Sequence, residues 1–101
     1  MTTRDQLASV AQSMLDGRIE LQGGCREICR LRHELSGPDV YDKDILVLVG
    51  IDSELDDCPI GPARAHWAPA FLAEKDQQRD DYLRRERDRL FNACSVLASW
   101  R

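Results

Sequence analysis

From residue 70 to about residue 100 nothing in the sequence breaks a helix, and this run constrains the fold more than any other feature. Leu72, Asp76, Arg79, Leu83, Glu86, Leu90, Ala93, Leu97 and Trp100 recur in alternating steps of four and three, the spacing of a helical seam. Pro69, just before it, suits a first helical position. At 1.5 Å per residue such a helix is about 46 Å long, longer than a compact domain of this size spans. It must therefore kink, project, or find a second chain. Three of its seam positions, Asp76, Arg79 and Glu86, are charged, which predicts a partly buried set of ion pairs that also includes Arg32.

The rest of the chain supplies three shorter helices. Thr3 followed by Gln6 reads as a capping box, with Leu7, Val10, Ala11 and Met14 at helical spacing behind it and Gly17 as its end. Gly23-Gly24 reads as a break with a mobile joint. After it Cys25, Ile28, Cys29, Arg32 and Leu35 share one helical face, and Ser36-Gly37-Pro38 stops the run. Residues 45–51 are rich in β-branched side chains, which suits a strand. No second strand-like run exists to pair with it, so a buried helix capped near Asp42 or Asp44 is the adopted reading, with Ile45, Leu48 and Val49 in a stripe that continues to Asp52 and Leu55. The expected architecture is all-α, a single domain over 1–101 built as a bundle of about four helices with a long last one.

No apolar run approaches the roughly 18 residues of a membrane span, and the first residues lack a signal peptide's apolar core. A cytoplasmic protein is expected. The four cysteines (Cys25, Cys29, Cys58, Cys94) then read as reduced core thiols. Charge is distributed unevenly. Residues 1–38 are balanced, residues 39–57 hold seven acids against one lysine, and residues 58–101 carry a small positive excess.

The chemistry-bearing types do not assemble into a known motif. Cys25, Cys29 and His33 at steps of four drift around a helix and converge poorly on one metal ion, so no metal site is expected. The acids from Asp52 to Asp57 fail the calcium-loop pattern, since Asp57 and Ala63 stand where glycine and glutamate are needed. Gly23-Gly24 lacks the lysine and hydroxyl residue of a phosphate-binding loop. The arginines of 84–89 are offset by Asp80 and Asp81 four residues earlier, and the overall charge is −4, which disfavours nucleic acid. No catalytic residue and no cofactor are assigned.

The stretches Gly24-Cys25-Arg26-Glu27, Val49-Gly50-Ile51-Asp52-Ser53-Glu54 and Pro59-Ile60-Gly61, followed by Arg64, Trp67, Lys75-Asp76 and Asn92-Ala93-Cys94, resemble a family of small uncharacterised bacterial proteins. The Gly-Ile-Asp-Ser-Glu block is the most specific part. The resemblance implies a bacterial cytoplasmic protein and transfers no activity. Its spaced polar residues, Arg32, Asp52, Glu54, Arg64 and Asp76, suggest an interlocking charge network or, equally, a set of helix caps and surface pairs; Arg64 thereby joins the expected buried network of Arg32, Asp76, Arg79 and Glu86.

The leading functional expectation is a non-enzymatic protein-binding module. Asp42, Asp44, Asp52, Glu54, Asp56 and Asp57 would form its contact surface, and an immunity-type inhibitor of a basic toxin domain is one such role. The competing expectation is a small enzyme or metal-binding regulator built on the cysteines and the polar seam. The apolar end of the long helix, Leu83, Leu90, Phe91, Leu97 and Trp100, is expected either to pack against a second copy as a homodimer or to fold back at a kink that buries Trp100 within its own bundle.

Overall fold

A computed structural model describes residues 1–100. The first helix, α1 (Thr3–Leu15), starts one residue earlier than the sequence reading placed it. Thr2 Oγ1 accepts from the Asp5 amide at 3.1 Å, and Asp5 Oδ2 accepts from the Thr2 amide at 3.1 Å. The Thr2–Asp5 pair thus forms the capping box in place of Thr3–Gln6, placing an ionised acceptor at the positive end of the helix. Gly17, at φ +72°, reverses the chain just past the helix end, a conformation that costs glycine nothing.

Helix α2 (Leu21–Arg32) corrects the expected break, because Gly23 and Gly24 lie inside its first turns. Gly24 is buried there because α2 crosses α1 closely at this point, with Met14 filling the space a side chain would take. A short 3₁₀ turn (Gly37–Tyr41) leads into α3 (Lys43–Glu54), whose cap is Asp42: its Oδ1 accepts from the Asp44 and Ile45 amides at 2.9 and 3.1 Å. Residues 45–51 are helical. Ile45, Leu48, Ile51 and Leu55 are buried at helical spacing, whereas Val49 and Asp52, expected on that stripe, are only half-buried at its edge.

A second 3₁₀ turn (Gly61–His66) precedes α4 (Pro69–Ala98), which begins on its proline as expected. Each helix packs on its sequence neighbours, and α4 closes the bundle against α1. The shared core is formed by Leu7, Met14, Ile28, Leu48, Leu90 and Leu97 with smaller neighbours. Among the described residues there is no strand, and no helix is long and apolar enough to cross a membrane.

Helix α4 runs unbroken for 30 residues within a molecule 42 Å in its longest dimension. Its apolar C-terminal third is not left open, as the dimer argument assumed. Leu90 and Leu97 are fully buried within the single chain, and Leu83, Phe91 and Trp100 are half-buried against its own core. The Arg4 guanidinium lies 4.2 Å from the centre of a Trp100 ring and also meets Asp39 at 2.6 Å, tying α1, the first 3₁₀ turn and the end of α4 together.

Candidate functional site

The most developed concavity lies where the end of α3, the second 3₁₀ turn and the start of α4 meet. Gln22 of α2 holds the turn that contributes Cys58 to it. Its Nε2 donates to the carbonyls of Leu55 and Cys58 at 3.2 and 2.9 Å, fixing the turn that leaves α3. Gln22 is almost fully buried, and its Oε1 has no partner among the described residues. Cys58 Sγ donates to the Lys75 carbonyl at 3.7 Å, joining the same turn to α4. Lys75 Nζ binds Asp57 Oδ2 at 2.7 Å, which raises the lysine pKa and holds the carboxyl below its ordinary range.

The 3₁₀ turn is held against α4 by Arg64. Its Nη1 and Nη2 meet the two Asp76 oxygens at 2.7 and 2.8 Å, and Nη1 also donates to the Pro59 carbonyl at 3.2 Å. Arg79 adds a contact to Asp76 at 3.3 Å. The Arg64 bond holds the Asp76 carboxyl below its usual range, against a smaller opposing effect of burial. Just past the turn, Trp67 stacks on Phe71 with centroids 4.8 Å apart and planes inclined by 26°.

Between these supports lies an open groove of about 460 Å³. It is lined by the apolar Ile60, Ala63, Trp67 and Phe71, by Cys58, and by the charged Asp56, Asp57, Arg26 and Lys75.

The six acids expected to form one contact surface divide between the two ends of α3. Asp42 is occupied as a helix cap, and Asp44 is nearly buried beside Lys43 at 3.3 Å. At the other end Asp52 meets Arg26 at 3.4 Å, and Glu54, Asp56 and Asp57 are exposed. Only Asp56 and Asp57 line the groove.

Of the five residues expected in a polar network, Arg64, Asp76 and Arg79 come together, half-buried. Arg32 and Glu86 do not join them. Arg32 Nε donates to the Val40 carbonyl at 2.7 Å, and Glu86 accepts from Arg89 at 2.9 Å. The physical reason is reach: each has a neighbour close in sequence that satisfies it first. Similarly Asp81 pairs with Arg84 at 3.1 Å and Asp80 with Arg79 at 3.0 Å, in place of the expected i,i+4 pairs.

All four cysteines are free thiols. Burial drives the Cys25 and Cys58 pKa values up, and pushes Cys94 up to about 11. Cys29, half-buried beside Asp52, is also pushed up to about 11, by burial first and by that carboxylate second. A thiol held protonated is a poor nucleophile. His33 and His66 are exposed, and among the described residues no three His, Cys, Asp or Glu side chains are grouped as a metal ion requires.

Sequence reading missed Gln22 and Trp67. Gln22 falls three residues before Cys25 and six before Ile28, so its place on the apolar face was visible as a polar residue in a core register. Trp67 carried no periodic signal, because its role depends on a turn that brings Phe71 beneath it.

The chain matches no protein-family model, no curated protein and no solved structure.

Proposed function

We propose that this protein is a non-enzymatic protein-binding module whose contact surface is the groove end of the bundle. The observation that carries the reading is Trp67: a large aromatic residue left 49% exposed in a groove that the exposed carboxylates of Asp56 and Asp57 also line. Exposed tryptophan beside a pocket is the kind of group that dominates binding energy at protein interfaces. Thiols held protonated by burial give little support to the enzyme alternative.

The acids at this end, Glu54, Asp56 and Asp57, favour a basic partner and would speed its encounter. An immunity-type inhibitor covering a basic toxin domain is a role this combination suits. Affinity capture from cells that produce the chain tests the reading. The wild type should recover a basic protein in stoichiometric amount, and a Glu54→Lys/Asp56→Lys double variant should lose most of it. Recovery of no such partner, or equal recovery by both proteins, would count against the proposal.

A further inference from the structure

The groove's charge is not balanced in solvent, although its rim holds two acids and two bases. The Asp56 and Asp57 side chains are 85% and 67% exposed, while Lys75 is only 17% exposed and lies against Asp57. Arg26 is already engaged by Asp52 at 3.4 Å and by Asp56 at 3.9 Å. The Arg26 side chain is 46% exposed, so the rim carboxylates are more exposed than the rim cations. One face of Trp67 is taken by Phe71, and about half of its surface remains in solvent. A tryptophan face beside carboxylates is a good seat for a guanidinium, which can stack on the ring and hydrogen-bond in its own plane. The slot's volume of about 460 Å³ lies within the usual range for small-ligand sites, roughly 300–1,000 Å³, so it can accept a whole apolar side chain.

We infer that the groove takes a short segment of a partner protein in which an arginine stands next to an apolar residue. The apolar side chain enters between Ile60, Ala63 and Phe71, and the guanidinium lies on Trp67 towards Asp56 and Asp57. This rests on the protein-binding reading above and specifies the chemistry of the partner. A second copy of the chain is the rival occupant, because its own Arg18-Ile19 pair is exposed.

The probe is a displayed library of random ten-residue peptides panned against the immobilised full chain, with affinities of the winners read by fluorescence anisotropy. Enriched peptides should share an arginine adjacent to leucine, methionine or phenylalanine. Replacing that arginine by glutamine, or its neighbour by serine, should weaken binding about tenfold or more. Trp67→Leu should do the same. So should Ala63→Phe, which fills the slot at an exposed position and leaves the core untouched.

Enrichment without the arginine–apolar pair, or affinities unmoved by both variants, overturns the inference. A cellular partner lost to Glu54→Lys/Asp56→Lys but retained by Trp67→Leu would overturn the groove chemistry and leave the protein-binding reading standing. Failure of both captures removes both. Light scattering that gives twice the 11.5 kDa chain mass, returning to one chain in Ala63→Phe, would assign the groove to a second copy and likewise overturn it.

Discussion

Met14 Sδ lies 2.5 Å from the position a Cβ on Gly24 would occupy, and Met14 Cγ lies equally close. Met14 is itself buried and in contact with Cys94, so it has little room to withdraw. Gly24→Ala should therefore destabilise the protein by about 1–3 kcal/mol, the usual cost of overpacking. Gly23 meets nothing within 4 Å in the same helix, so Gly23→Ala should stabilise by about 0.5–1 kcal/mol. Urea denaturation of the two variants checks this, and stabilisation by both would show that α1 and α2 do not approach closely here.

Loss of core volume should outweigh loss of the polar seam. Leu48 is fully buried, and Leu48→Ala should cost about 2–5 kcal/mol. Asp76→Ala should lower the melting temperature by clearly less, because Asp76 and Arg64 are only half-buried and water replaces part of their interaction. Asp80→Ala, which removes an exposed carboxylate, should have the smallest effect of the three. Thermal melts of the three variants establish the order.

Acid should loosen the groove before it unfolds the bundle. Asp57 and Asp76 both have folded pKa values below those of free carboxyls, near 3.9. Their stabilising contribution is complete above that value and is lost as pH falls through the lower folded values. In a Trp100→Phe background, Trp67 emission should shift to the red below about pH 4, and Arg64→Gln should shrink that step. A Trp67 signal that changes only together with global unfolding would refute this order.

The thiols give the opposite sign. Cys25, Cys29 and Cys94 have raised folded values, so stability should be unaffected below the free-thiol pKa of roughly 8.5 and decline as pH rises above it. At pH 8 Cys29 stays almost wholly protonated, because burial and Asp52 push its pKa up to about 11. A thiol reagent should therefore label the native protein slowly and the denatured protein at four sites per chain. Rapid stoichiometric labelling of the folded protein would contradict the burial of these groups.

The helices were legible because each carries a periodic signal of its own. Ile45, Leu48 and Leu55 declare a buried helix once no partner strand can be found, although Ile51 holds the place on the buried face expected for Val49. Gly23-Gly24 misled because sequence shows a glycine's missing side chain and not what fills the gap; Met14, ten residues earlier, is the answer. The groove was illegible for a related reason. Asp57 meets Lys75, and Arg64 meets Asp76, only after the chain turns between α3 and α4, and no spacing rule covers a contact such as Asp57 to Lys75 across 18 residues. Arg32 and Glu86 were placed by periodicity alone, which gives a face and not a partner.

Burial along α4 is sharply graded. Its fully buried residues are Leu90, Ala93, Cys94 and Leu97, all in the last third, while nothing from Pro69 to Arg89 is fully enclosed. One continuous helix therefore spans two regimes of local opening. Amides of its last three turns should exchange with solvent only when the whole bundle unfolds, and those before about Asp76 through cheaper openings near the groove. Any ligand seated on Trp67 would reach the fold through this labile portion, and its arrival would register first as slowed exchange there, many turns away from the amides that report on the core.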